Sequence, residues 1–414
     1  MKTTWQWALK LAAILASGAF SMTTLANGYR IPDQDAFATA RGEAFAATAD
    51  NPSAIYYNPA GIGQLEGNNL RVGLYGVYLD PTYSPAGRNH TFHSSDNLAA
   101  VPQFYYTYNP AGSPVTLGLG VYSPFGLSVN WPQNTGFRSI AVKGALSYIT
   151  INPVIGLKLA PNFYIGGGVT VNRADVDLQQ GLSPFPNNDL FRFKGDGWAV
   201  GYNLGALWQP HEKVSIGMTF RSSATVDLHG HTTTEMDSVQ PTMSSPAQAR
   251  FPFPLNAVCG ISYRPTPDWN LEFDADYTDW STVGTISIHQ SSPSPILPLS
   301  TVPFVLNWQP SWLYEFGATR YLGNGWQVSA GYAYNENSVP NAHYTPYVAD
   351  VDRHFFSLGT GFKGNRFNFD VAYQLGYGPS HRVSGSAVSL AGQTADGTYK
   401  YLSHVLLLSV GMHF

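Results

Sequence analysis

Residues 402–414 read "LSHVLLLSVGMHF", and the medium that each face of this stretch meets decides the fold. Successive side chains of a strand point to opposite faces. Leu406, Leu408, Val410, Met412 and Phe414 therefore share one face, and Ser403, Ser409, Gly411 and His413 share the other. Val405 and Leu407 blur the contrast on the second face. One face suits an apolar medium and the other a mixed or wet one. A water-soluble sandwich strand carries the same pattern, so the spacing along the chain has to decide.

Working outward, strands are expected near 69–79, 99–109, 115–123, 143–159, 162–178, 196–208 and 213–229. Seven more follow near 255–264, 269–289, 311–322, 325–335, 353–363, 366–382 and 400–414. Most have the roughly 9–11 residues that cross a bilayer at a tilt. Short connections such as "NPAGSP" (109–114), "APN" (160–162), "QPHEK" (209–213), "RPTPDW" (264–269), "GNG" (323–325) and "KGNR" (363–366) carry turn residues. Long ones alternate with them, at 80–98, 124–142, 179–195, 230–254, 290–310, 336–352 and 383–399. An even strand number with both termini on the short-turn side is the layout of a bacterial outer-membrane barrel. The expectation is an all-β, 14-stranded antiparallel transmembrane β-barrel over 69–414. Closure pairs every backbone donor and removes sheet edges, as lipid requires. Trp198, Tyr202, Trp208, Trp269, Tyr277, Trp280, Trp312, Tyr321 and Trp326 fall near the strand ends, where interfacial girdles belong. A soluble sandwich does not alternate short and long connections so regularly.

The bulk numbers agree. Of 414 residues only 12% are charged, against 14% aromatic, with 41 Gly, 25 Tyr and 23 Phe. Residues 1–26 read as a secretion signal, with Lys2 in the n-region, an apolar run over 9–20 and Thr24 and Ala26 at the cleavage positions. Cys259 stands alone, so no intrachain disulfide and no cysteine metal cluster is expected. The net charge of −4 with scattered basic residues argues against a nucleic-acid partner. Neither G-x-S-x-G nor H-E-x-x-H occurs, so an outer-membrane enzyme is disfavoured. "HGH" (229–231) lacks a matching carboxylate and reads as surface. No cofactor or metal is called for.

Residues 27–68 lack strand alternation, and "DAFATARGEAFAATAD" (35–50) suggests a short amphipathic helix. A loose periplasmic tail should be charged and polar. This segment is instead rich in Ala, Phe, Ile and Tyr, and Pro52 and Pro59 forbid regular structure. Irregular backbone at membrane depth is tolerated only inside protein, so the lumen is its natural place. A general porin, with an open charged lumen, fits this segment poorly.

Here the chain resembles the FadL family of outer-membrane long-chain fatty acid transporters. The likeness rests on "ADNPSAIYYNPAGIGQLEG" (49–67), on "LRVGLYGVYLDPTY" after it and on "LNAVCGISYRPTPDWNLEFDADYTDWS" (255–281). It implies an N-terminal hatch carrying Asn58, Pro59 and Ala60 that plugs the barrel. It implies a kink in the third strand, at Pro124 and Gly126, that opens the wall for lateral exit into lipid; a loop-start proline accounts for Pro124 equally. It implies a capture groove on the third and fourth extracellular loops, here Leu182, Phe185, Leu190 and Phe191 with Phe251 and Phe253; packing between the loops is the plainer alternative. It implies Arg173 as partner of a bound carboxylate, although alternation puts Arg173 with Val169 and Val171, and Asp175 and Asp177 offer a plain ion pair. A second basic residue of the family pattern is Gln309 here, which leaves room for neutral aromatic or aliphatic hydrocarbons. The implied partners are a hydrophobic small molecule and the lipid and lipopolysaccharide around a monomeric barrel.

Overall fold

The computed structural model describes residues 28–95, 97–187, 189–236 and 240–414. The expected secretion signal lies outside them. Fourteen strands form the wall. They are β1 (Gly67–Leu79), β2 (Leu98–Asn109), β3 (Val115–Tyr122, resuming at Gly126–Asn130), β4 (Lys143–Ala160) and β5 (Phe163–Gly181). Next come β6 (Leu190–His211), β7 (Val214–Arg221 and Ala224–Met236), β8 (Gln240–Phe253 and Asn256–Tyr263) and β9 (Trp269–Thr278 and Thr285–Gln290). The last are β10 (Thr301–Val305 and Ser311–Tyr321), β11 (Trp326–Asn335), β12 (Arg353–Lys363), β13 (Phe367–Val383) and β14 (Gly397–His413). Neighbours pair antiparallel, and β1 closes on β14 from Asn69 opposite His413 to Leu79 opposite Ser403.

Two expectations need correction. Residues 230–254 are not a loop: β7 and β8 run on as a tall hairpin, with Ala224 opposite Phe253 and Thr234 opposite Met243. Trp280 is not in a girdle. It opens a single 3₁₀ turn that interrupts β9, and it is fully buried. Trp198, Trp208, Trp312 and Trp326 do face outward.

The closing strand shows how the wall is built. Leu406 is 54% exposed on the outer face, whereas Leu407 is 0% exposed on the inner one. The inner face has two zones. Towards the short turns it is polar: Thr150, Asn152, Asn203, Asn256, Glu272, Asp274, Asp276 and Ser409 point inward. Towards the long loops it turns apolar: Val77, Leu79, Val101, Leu146, Val176, Phe193, Val226, Leu228, Ile286, Ile288, Tyr401 and Val405 form one continuous buried cluster. Val405 and Leu407 blurred the sequence pattern because they lie in this apolar zone.

Residues 28–66 fill the polar zone, except that Tyr29 and Ile31 at their start reach into the apolar one. Of the helix expected within 35–50 only Ala36–Ala40 forms, capped by the Asp35 side chain on the Phe37 amide. The proline stretch is not wholly irregular: Ala54–Tyr57 is one helical turn and Pro59–Gln64 a 3₁₀ helix whose first position tolerates proline. Wall carboxylates hold the irregular backbone: Asp274 accepts from the amides of Phe45 (2.9 Å) and Ala46 (2.7 Å), and Glu272 accepts from that of Ala47 (2.7 Å). Three ion pairs tie the segment to the wall. Arg41 meets Glu272 at 2.9 Å, Arg30 meets Asp276 at 2.6 Å, and Asp35 meets Arg71, which also holds Asp370 at 2.7 Å. Asn58 is fully buried and donates to the carbonyls of Ala46 (2.8 Å) and Ala206 (3.0 Å), while Pro59 and Ala60 pack beside it.

Close approach of two backbones explains many wall glycines. A Cβ at Gly166 (β5), Gly205 (β6) or Gly217 (β7) would strike Pro59, Asn58 or Ala46, and one at Gly331 (β11) would strike Gly42. The Gly331→Val barrel should therefore fold with its segment displaced. Single-channel recording should show openings that the parent lacks, and an unchanged closed trace would mean that the segment adapts to the added bulk.

Candidate functional site

Tyr29 is the hub of the apolar zone. Its ring lies 4.7 Å from Trp280, 5.4 Å from Trp308, 5.7 Å from Phe253, 5.8 Å from Phe251 and 5.9 Å from Phe125, centroid to centroid. Tyr148 closes the ring system at 4.3 Å from Phe253 and 5.2 Å from Phe125. The Tyr29 hydroxyl donates to the Pro252 carbonyl at 3.0 Å, so this phenol is buried with its polar tip satisfied. Gly28 sits at φ +65°, and a Cβ there would come within 2.6 Å of the Trp280 ring. The rings touch one another, so a guest of any size has to part them.

Beside this cluster the wall is interrupted. Pairing of β2 with β3 ends at Phe104 opposite Val121, and the outer part of β2, Leu98–Gln103, has no partner on β3. Pairing of β3 with β4 breaks between Tyr122 opposite Thr150 and Gly126 opposite Ser147. Ser123, Pro124 and Phe125 thus stand against only two residues of β4, which is a bulge. Their backbone turns to the N-terminal segment instead: the Ile31 amide donates to the Pro124 carbonyl at 2.8 Å, and the Gly126 amide to the Tyr29 carbonyl at 2.9 Å. Pro102, with no amide to give, lies on the unpartnered stretch of β2.

The residues singled out from sequence scatter. Phe251 and Phe253 lie on β8 and Phe191 on β6, all buried in the lumen and not on loops, because those strands extend further than their prolines suggest. Leu190 starts β6 and is half-buried, Leu182 packs against the edge of the apolar cluster, and Phe185 is 70% exposed. Arg173 faces outward between the buried Asn172 and Ala174, paired with Asp175 (3.2 Å) and Asp196 (3.4 Å) and lying over Trp198. Strict alternation wins there, since β5 pairs without a bulge on both sides of it.

Sequence reasoning missed the loop fastenings. Arg138 is fully buried and donates to the carbonyls of Ser183 (2.8 Å) and Asn187 (2.6 Å) while pairing with Asp189 (2.9 Å). It holds the loop that presents Phe185. The neighbouring loop, with Leu390 87% exposed and Val388 beside it, touches this one through Gln393 and the Pro184 carbonyl. Asp396 ends that loop. Partial burial pushes its carboxyl up, but hydrogen bonds from the Ser386 hydroxyl and the amides of Ser386 and Gly385 outweigh this and hold it below the ordinary range. The outer surface therefore carries exposed apolar tips above an apolar lumen.

The family described as "Outer membrane protein transport protein (OMPP1/FadL/TodX)" matches residues 17–414. The chain belongs to this family. It is an outer-membrane transporter of hydrophobic compounds and not an enzyme. Among curated relatives, the long-chain fatty acid transport protein of Escherichia coli O157:H7 is 22% identical over 417 residues, covering 89% of each chain. Among solved structures, a Pseudomonas aeruginosa FadL homologue superposes with a TM-score of 0.82 at 20% identity, covering 94% of this chain and all of the other. The Pseudomonas putida toluene transporter TodX gives 0.73 at 15% identity, with the same coverage. At these identities the structures speak for the fold.

Proposed function

We propose that this member of the FadL/TodX family takes long-chain fatty acids across the outer membrane in four stages. The exposed tips at Phe185, Val388 and Leu390 collect the acid. It passes down among Phe191, Phe251 and Phe253 into the ring system around Tyr29. Residues 28–66 act as a hatch that shifts when the rings part. The acid then leaves sideways through the interrupted seam between β2 and β3. The observation that carries this reading is the apolar outer half of the lumen lying directly beside that seam. Burial gains about 0.8 kcal/mol per methylene, so a long alkyl chain has reason to enter, whereas ions and sugars have none. Lateral exit keeps the chain out of periplasmic water. The protein works as one barrel within the lipid and lipopolysaccharide of the outer membrane.

Neutral aromatic hydrocarbons are a second reading. The edge-on and tilted Trp, Phe and Tyr rings favour it, as does Arg173, which faces away from the lumen. Labelled oleate and labelled toluene, offered to cells that lack a fatty acid transporter of their own, separate the two. Uptake of oleate that depends on this gene supports the acid reading, and uptake of toluene alone replaces it. Uptake of neither, from a barrel shown to be at the surface, ends both.

A further inference from the structure

Inward arginines of this barrel come with carboxylates. Arg30 has Asp276, Arg41 has Glu272, Arg71 has Asp35 and Asp370, and Arg353 has Asp350. Arg221, on the inner face of β7, is different. Among the described residues no carboxylate lies within ion-pair distance of it. Its guanidinium donates to the Tyr122 hydroxyl at 3.0 Å and to the Tyr56 carbonyl at 2.9 Å. It also lies over two rings, 4.5 Å from the centroid of Tyr56 and 5.6 Å from that of Tyr122. Two of its five N–H groups are thus used. A guanidinium stays charged at any working pH, and aromatic faces compensate a desolvated cation only in part.

The position matters as much as the missing partner. Tyr122 ends the inner half of β3, three residues before Phe125 of the ring system. Asn256, opposite Arg221 in the ladder, follows Phe253 by three residues on β8. Arg221 therefore stands at the floor of the apolar zone, where the wall turns polar. Beneath it is a cavity of about 20 Å³ that Glu43, Asp274, Asp276 and Glu315 also line. Three of these acids already have donors: Asp274 takes the amides of Phe45 and Ala46, Asp276 takes Arg30, and Glu43 takes the Tyr57 hydroxyl at 2.6 Å. Glu315 is 3% exposed and lies beyond ion-pair distance of Arg221.

We infer that Arg221, framed by Tyr56 and Tyr122, is the anchor for the carboxylate of an amphipathic acid whose alkyl chain fills the ring system above. The inference rests on the acid reading of the function. A carboxylate arriving from above would meet the free N–H groups as a forked, charge-assisted pair. The Tyr122 hydroxyl accepts from Arg221 and already donates its own proton to the Asn152 side-chain oxygen at 2.9 Å, so it fixes the guanidinium in place and leaves the carboxylate to the arginine. Occupancy would also pull on Tyr56, which belongs to the N-terminal segment, and so link head-group binding to that segment's position.

The test is quenching of the Trp280 and Trp308 fluorescence of the purified barrel in detergent, titrated with oleate and with methyl oleate. The ester keeps the chain and discards the charge. The parent should bind oleate at least about tenfold more tightly than the ester. Arg221→Gln should lose that preference and bind both alike, and Arg221→Lys, which keeps the charge but not the fork, should fall between. Heat-modifiable migration checks that each variant has folded. Equal binding of acid and ester by the parent, or an intact preference in Arg221→Gln, overturns the anchor while the uptake reading stands. No response to either ligand in the parent removes the uptake reading itself.

Discussion

Removing residues 28–66 should turn a closed barrel into a cation-selective pore. The wall itself is complete without them, because β1 begins at Gly67 and pairs with both β14 and β2. Deletion takes Tyr29 from beneath five aromatic rings and takes Arg30, Arg41 and Asp35 from their ion pairs. Breaking a buried pair by deleting one partner ordinarily costs about 3–5 kcal/mol, because the survivor is left dry. Here the vacated space admits water, so the stranded carboxylates become hydrated and the barrel survives. Glu272, Asp274, Asp276, Glu315 and Asp370 then face the pore against Arg71 and Arg221, a negative lining that concentrates cations. In planar bilayers the conductance should rise at least about tenfold over the parent, with a reversal potential on the cation side in a salt gradient. A truncated barrel that stays silent would show that the outer ring system seals the lumen alone, and the segment would then lose its role as the hatch.

The barrel was legible because its signals are repeated. Period-two patterns, short turns on one side and long loops on the other each recur along the chain, so one blurred strand does little harm. The outer hairpin was not legible. "ARFPFPLN" looks like a loop because proline breaks ladders, yet Pro246 and Pro252 sit in β8 opposite His231 and Thr225. They are tolerated because β8 pairs with β9 there only from Ala247 to Ala249, so one side of the strand has little ladder to lose. Trp280 misled for a related reason: a strand end and a mid-strand 3₁₀ turn look alike in sequence, and only the break after Thr278 turns that ring inward. Arg173, expected from the resemblance to meet a carboxylate, instead follows the alternation that set it with Val169 and Val171 and pairs outside with Asp175 and Asp196. Arg221 belongs to no motif. Its phase was nonetheless present, because Gly217, Thr219 and Arg221 alternate with the outward Met218. What sequence could not show is that, among the described residues, every other inward arginine of the set has an acid and this one has none.

Deleting Pro124 alone should abolish uptake while leaving the binding site intact. In the present wall three residues of β3, Ser123 to Phe125, span the interval that two residues of β4 cover. Removing one makes the count equal, so β3 can run straight from Val115 to Asn130 against β4. Once straight, its outer half lies within reach of the unpartnered Leu98–Gln103 stretch of β2. The Ile31 amide loses its Pro124 acceptor, the Gly126 amide that now bonds the Tyr29 carbonyl would join that ladder instead, and each net hydrogen bond contributes about 0.5–1.5 kcal/mol towards closure. The seam would shut. Oleate uptake by cells carrying this variant should fall to the level of cells with empty vector, while quenching of Trp280 and Trp308 by oleate in the purified protein persists. Loss of both signals would mean that the bulge builds the ring system and does not merely open the wall. Uptake that survives the deletion would move the exit away from lipid, and the acid would then have to pass residues 28–66 into the periplasm, across a zone lined by carboxylates that repel it. That second route is electrostatically poor, which is why a closed seam is expected to stop transport and not just slow it.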